Sequence, residues 1–405
     1  MHNHHVLIFF ALLIFSFGLF SRLAERRYIT GPMFFMVVGM LASSLVFDLF
    51  EVHYEMEPVK LVAELALTLI LFIDATLIER GFFRTAPART SARLLLIGLP
   101  LTMLAGTGLG LLMFSSVGLV SIILMALILS PTDAALGQAV VKSEDVPGGI
   151  RQAISVESGL NDGIALPPIL ICLAVLGADA GHQDGGWGGF VIKQVTLGPI
   201  VGLIVGLTGG WLIQKMSDLG WMEETFQRLS ALPIAIIAFA FAEMVGGNGF
   251  ISAFVAGLGL TISITSDKVR HQIQEFGETE GTQLILVVFL IFGLVMVPVA
   301  FQYWGWPELV YALASLTVIR MVPVAVSMLG TGFDWRTITF IGWFGPRGIA
   351  SVLYLLMAIA AIGFAGYERI MSVIVLTVMI SVFAHGISAL PFSRLYGKYR
   401  ANASV

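Results

Sequence analysis

Between Ser155 and Gly163 the sequence Ser-Val-Glu-Ser-Gly-Leu-Asn-Asp-Gly sets a dense group of polar side chains into an otherwise apolar stretch. Helical spacing sorts four of them into two neighbouring pairs one turn apart, Ser158 with Asp162 and Glu157 with Asn161. The first pair can offer two oxygens to a small cation, and the second can carry a salt bridge and a hydrogen bond behind it. Asp162 is the centre of this reading. A carboxylate taken out of water holds its charge only at a cost, so it takes up either a proton or a metal ion readily. Competition of the two for one carboxyl group is in itself an exchange mechanism. The bland reading has Asp162 permanently paired with Arg320 or Arg347, as buried acids often are.

Other charged residues share the apolar surroundings. Asp133 follows Ser130-Pro131-Thr132, where Thr132 could present a freed carbonyl and its hydroxyl to a hard cation that prefers oxygen. Asp133 would cap the helix beginning after Pro131, lie beside the ion, or do both. Asp74, in Leu71-Phe72-Ile73-Asp74-Ala75-Thr76, reads equally as a ligand and as a snorkelling acid at a span end. Arg320 needs a buried anion, and Glu157 is the candidate. Arg347 either satisfies orphan carbonyls or serves the site. Glu64 and Glu243 read as structural, His385 as a core histidine, and His2, His4 and His5 as a short disordered terminus.

The elements that hold such groups follow from composition. The chain has 405 residues, 57% apolar and 12% charged, whereas a soluble domain carries about 25% charged residues. Apolar runs of roughly 18 residues or more recur throughout, long enough to cross a bilayer as helix. The expected fold is an all-α polytopic membrane protein of about thirteen transmembrane helices, beginning near residues 6, 31, 59, 92, 116, 147, 188, 229, 248, 280, 307, 337 and 370. The first run, Val6 to Phe20, lacks a cleavage site and reads as a retained helix. With the N-terminus outside, roughly seventeen lysines and arginines fall on the inner side against Lys60, Lys193 and Arg369 outside. That bias predicts a cytoplasmic C-terminus in a cell inner membrane.

The net charge of −4 carries no basic stripe, which argues against a nucleic-acid partner. Cys172 stands alone, so no disulfide framework or thiolate metal site is expected. No cofactor is implied, and no P-loop points to ATP.

Two spans are interrupted, the fifth at Ser130-Pro131-Thr132-Asp133 and the twelfth at Gly345-Pro346-Arg347-Gly348. Breaks seven helices apart run oppositely through the bilayer, as two inverted repeats would place them, and the binding site should lie where they meet. Independent proline kinks are the alternative. Ala178 to Gly189 reads as a flexible outer loop, and the whole of 1–405 as a single transmembrane domain.

These motifs, together with Gly249-Phe250-Ile251-Ser252-Ala253-Phe254-Val255-Ala256-Gly257, resemble the monovalent cation/proton antiporter family, most closely its NhaP-type sodium/proton branch. The resemblance covers nearly the whole chain. It implies a homodimer in which a core part, including 59–80, 116–176, 280–299 and 337–390, moves against a dimerisation part. It places the transient sodium site on Asp162, Ser158, Asp74 and the Thr132 carbonyl with Asp133 close by, and has Glu157, Asn161 and Arg320 orient it. Electrogenic relatives carry two aspartates where this chain has Asn161-Asp162, so the resemblance implies electroneutral exchange of one cation for one proton. Family members usually carry glutamate at Asp74, which makes that ligand the weakest transfer. The long cytoplasmic tail of animal relatives has no counterpart here.

The function expected is sodium or lithium exchange for protons by alternating access, with no enzymatic activity. A potassium/proton antiporter or a sodium-coupled symporter on the same plan remains open. An intramembrane hydrolase using Asp133 and Asp162 is disfavoured, because no His-Glu-x-x-His or Gly-x-Ser-x-Gly occurs. A non-transporting sensor or scaffold would leave the buried acids without a purpose.

Overall fold

Helix signals recur along the whole chain, and in the computed structural model every regular element is helical, with no strand among the described residues. Those residues are 2–49, 57–78, 86–133, 136–141, 143–179 and 187–403. First come α1 (His2–Arg26), α2 (Gly31–Ala42) and α3 (Glu57–Thr76). The next helix, α4 (Ala86–Arg93), runs through a π-turn at Leu94–Gly98 into α5 (Leu99–Met113). A short α6 (Leu119–Ile128) and the single turn α7 (Gln138–Val141) flank the first break and precede the long α8 (Gly148–Asp179). Then follow α9 (Trp187–Asp218), α10 (Glu224–Leu229), α11 (Ala231–Met244) and α12 (Gly249–Ser263). The run α13 (Asp267–Ile291) continues through a second π-turn, Phe292–Met296, into α14 (Val297–Phe301). After α15 (Trp306–Leu316) and α16 (Val318–Ser327), α17 (Trp335–Trp343) and α18 (Ile349–Ile362) flank the second break, and α19 (Glu368–Ala403) closes the chain.

Local chemistry sets these boundaries. Asn248 Oδ1 accepts from the Ile251 N–H at 3.0 Å to cap α12, and Asp334 Oδ1 caps α17 through the Thr337 N–H at 3.0 Å. Pro32, Pro100 and Pro307 sit in the first turns of α2, α5 and α15, where the missing N–H has no partner to lose. Both α6 and α17 stop just ahead of a proline, Pro131 and Pro346. Pro167 and Pro168, by contrast, lie inside α8 without ending it, as buried membrane helices tolerate.

Close packing rests on small residues. On α9, Gly202 and Gly206 are four residues apart, and a Cβ at either would lie 2.2 Å from a carbonyl oxygen of α12, that of Ser252 or Ala256. The two backbones therefore touch, as small-xxx-small seams allow. Elsewhere Leu71, Met125, Leu166, Val352 and Val378 from α3, α6, α8, α18 and α19 join one buried apolar cluster.

Seven helices among the described residues are long and apolar enough to cross a membrane, and five shorter apolar helices of 10–17 residues accompany them. Helix length alone thus does not give the thirteen spans expected from sequence. Two reasons are visible: α6 and α18 are short helices that adjoin the two breaks, and residues 50–56 and 79–85, around α3, lie outside the described residues. Residues 180–186 of the expected Ala178–Gly189 loop lie outside them too. The N-terminal turn read as disordered is instead helical from His2 in α1; the side chains of His2, His4 and His5 lie outside the described residues.

Candidate ion-binding site

The two breaks touch, and each completes the other's hydrogen bonding. The Asp133 N–H donates to the Pro346 carbonyl at 2.9 Å. In return Asp133 Oδ2 accepts from the Ile349 N–H at 2.7 Å, so this acid caps α18, across the contact. The sequence expectation put its cap on the helix after Pro131; the partner differs because the facing half-helix presents its N-terminus to Asp133. Arg347 works the other way, its Nη1 donating to the Pro131 carbonyl at 3.3 Å and the Gly345 carbonyl at 3.2 Å. Ser351 Oγ donates to the Ile128 carbonyl at the end of α6 at 2.8 Å. A Cβ at Gly348 would lie 2.0 Å from Asp133 Oδ2, so the carboxylate occupies the space a side chain would need.

Helix α8 lays its polar face against this contact. Thr132 Oγ1 accepts from Asn161 Nδ2 at 2.7 Å and shares a hydrogen bond with Ser158 Oγ at 3.1 Å, which makes the Thr132 hydroxyl the hub. Glu157 faces Arg320: Nη2 donates to Oε2 at 2.8 Å, and Nη1 lies 2.6 Å from Oε1 in a charge contact off the hydrogen-bonding angle. Both side chains are 1% exposed. Paired so, each offsets the desolvation of the other.

Asp162 is 3% exposed, and its Oδ1 has no hydrogen-bond partner. Neither buried arginine bonds to it, since Arg320 is on Glu157 and Arg347 on the break carbonyls. Its side chain lines a cavity of about 150 Å³ together with Asp74, Thr132, Asp133, Ser155 and Ser158. The carboxylates of Asp74, Asp133 and Asp162 share the cavity without closing into a three-acid metal cluster among the described residues. A cation here would draw on hydroxyl and carbonyl oxygens as well as carboxylate. Half-buried Asp74 faces the cavity, and α3 approaches α8 closely enough that a Cβ at Gly159 would lie 3.2 Å from the Asp74 carbonyl.

The structure therefore gathers Asp162, Ser158, Asp133, Thr132 and Asp74 about one cavity and sets Asn161, Glu157, Arg320 and Arg347 behind it. Sequence reasoning missed four contributors. Tyr354 of α18 donates its hydroxyl to the Asp162 carbonyl at 2.9 Å. On α13, Glu278 and Thr282 are exposed yet line the cavity, and Gln274 Nε2 donates to the Thr76 carbonyl at 2.5 Å. Their spacing of four residues, Gln274, Glu278 and Thr282, was a signal available in the sequence. Glu243 Oε1 accepts from the Gly249 N–H at 2.8 Å at the start of α12, away from the cavity. His385 is bonded within the core to Ser381 and Trp343.

Comparison with known proteins agrees with this architecture. Among relatives, the K(+)/H(+) antiporter NhaP2 of Shewanella sp. (strain MR-4) is 28% identical over 396 residues, covering 95% of this chain and 66% of its own length. The K(+)/H(+) antiporter NhaP of Alkalimonas amylolytica is 24% identical, covering 89% of this chain and 61% of its own. The chain thus spans just under two thirds of the length of these relatives. The structure of the sodium proton antiporter MjNhaP1 from Methanocaldococcus jannaschii superposes with a TM-score of 0.78 at 16% identity, covering 98% of this chain and 99% of that one, which shows a shared fold. Residues 8–394 match the family described as sodium/hydrogen exchanger, transmembrane, and the chain belongs to that family.

Proposed function

We propose that this protein is a membrane antiporter in which a monovalent cation and a proton compete for Asp162. One observation carries the reading. Asp162 lines a cavity of about 150 Å³ beside the Thr132 and Ser158 hydroxyls, one oxygen of its buried carboxylate has no hydrogen-bond partner, and both buried arginines are engaged elsewhere. Such a group must acquire either a proton or a cation, because leaving its charge alone is costly. Ser158, Asp74 and the Thr132 carbonyl complete the ligand set, with Asp133 alongside. Glu157, Asn161, Arg320 and Arg347 hold the frame.

In this reading the chain carries thirteen spans in two inverted repeats with crossing broken helices at spans five and twelve. Its N-terminus lies outside and its C-terminus in the cytoplasm of a cell inner membrane, and it works as a homodimer. Asp162 binds a cation on one side, the core part moves, the cation leaves, and protonation permits the return.

Sodium or lithium is the cation proposed first, on the small, oxygen-rich site. Potassium is the second reading, favoured by the names of the two NhaP relatives above. Proton flux driven by outward gradients of sodium, lithium or potassium in proteoliposomes decides between them. Asp162→Asn, which can neither release a proton nor pair with a cation, is expected to lower flux at least a hundredfold for every cation. Proton-coupled flux surviving in that variant would remove Asp162 from the mechanism.

A further inference from the structure

Away from the ion cavity, α17 and α19 enclose a groove of about 480 Å³, lined among others by Trp335, Arg336, Phe340, Trp343, Phe392 and Tyr399. Its floor is aromatic, with the Phe340 and Tyr396 rings stacked at 4.4 Å. Its mouth is apolar and open, Trp335 being 70% exposed and Leu395 67%. Arg336 is the charged side chain on the rim, its guanidinium 4.2 Å from the Tyr399 ring centroid and 5.4 Å from that of Trp335. No carboxylate lies within salt-bridge distance of Arg336 among the described residues. The nearby acid, Asp334, is committed through Oδ1 to the Thr337 N–H and through Oδ2 to the Tyr399 hydroxyl. Arg400 adds further positive charge at this end.

We propose that this groove binds one phospholipid with an anionic headgroup, its phosphate on Arg336 and an acyl chain laid along Phe340, Trp343 and Phe392. The charge pattern selects the occupant. A neutral lipid would leave the rim charge uncompensated, and a water-soluble anion would leave the aromatic walls bare. Stacking on two rings fixes the guanidinium plane for bidentate contact, which an ammonium group cannot reproduce.

The groove is wired to the first-described site. Placing the His385 proton on Nε2 lets it donate to the Trp343 carbonyl at 2.8 Å and lets Nδ1 accept from the Ser381 hydroxyl at 3.2 Å. Ser381 Oγ in turn accepts from the Arg347 N–H, within the second break, at 2.7 Å. Trp343 Nε1 donates to Ser388 Oγ at 2.9 Å, which fixes the same indole to α19. An acyl chain against Trp343 therefore steadies the segment that caps the ion cavity. The binding claim stands whichever ion is carried.

The test is native mass spectrometry of the full chain, stripped of lipid and offered phosphatidylglycerol or phosphatidylcholine with identical acyl chains. Phosphatidylglycerol should survive at collision energies that remove phosphatidylcholine. Arg336→Gln should cut its retention at least fivefold, Arg336→Lys should fall between, and Arg228→Gln should change nothing. Should Arg336→Gln fold poorly, Leu395→Trp, which fills the mouth, is expected to exclude the lipid instead. Equal retention of both lipids, undiminished retention in Arg336→Gln, or displacement by soluble glycerol phosphate at the same concentration would each overturn the proposal.

Discussion

At the scale of the residue, the decisive contrast is between two buried acids five positions apart on one helix. Glu157 meets Arg320 within 2.8 Å, whereas Asp162 keeps an oxygen with no partner. One acid is held by an arginine and the other is available. Glu157→Gln should therefore act through stability. It leaves the Arg320 guanidinium buried without an anion, at about 3 to 5 kcal/mol, visible as a lower melting temperature in detergent. The paired change Glu157→Gln with Arg320→Gln should recover part of that loss. Glu278 calls for a different test, since it is exposed at the rim of the cavity. A carboxylate there raises the local cation concentration without binding tightly, so Glu278→Gln should raise the cation KM several-fold at low ionic strength and leave kcat alone. The gap should close in high salt, and Glu275→Gln serves as the control.

At the scale of the element, the breaks matter more than the helices they divide. Gly348→Ala places a methyl group where Asp133 Oδ2 sits, 2.0 Å away by geometry. The acid must leave the Ile349 N–H, and exchange should drop at least tenfold while the protein still folds, measured as flux beside a melting curve. If Gly348→Ala transports normally, the cap across the breaks is not needed for the site. Both interruptions were legible in the sequence, because Pro131 and Pro346 remove backbone donors wherever they stand. The pairing of Asp133 with the opposite half-helix was not legible, since nothing in spacing reports which helix end will face it. Nor does proline count by itself decide a break: Pro167 and Pro168 leave α8 continuous. Tyr354 escaped notice because a single hydroxyl in an apolar run looks like core, and only the fold turns it toward Asp162. The α13 stripe was overlooked because polar residues four positions apart also describe any solvated helix face.

At the scale of the whole molecule, charge balance over a cycle is the property to measure. Asn161, used here as a donor to Thr132, adds no second titrating carboxyl next to Asp162. If the proposed exchange is one cation against one proton, it moves no net charge, and an imposed membrane potential should leave the steady-state cation ratio unchanged. A net charge per cycle would instead bias it by about 2.3 kcal/mol per 100 mV, a shift easily read in proteoliposomes. Fold class and family were legible over nearly the full length, because composition and four short motifs suffice. The number of complete crossings was harder, since interrupted spans break into pieces shorter than a bilayer. The mutual stitching of the two breaks carries a last implication. Asp133 and Arg347 tie opposite half-helices together by side-chain bonds to main-chain groups, so the wall of the cavity that holds Thr132 and Asp133 is one stitched unit. Under the proposed exchange, a unit that keeps its shape would offer an ion the same oxygens from either compartment, and the prevailing gradients would then set which way the traffic runs.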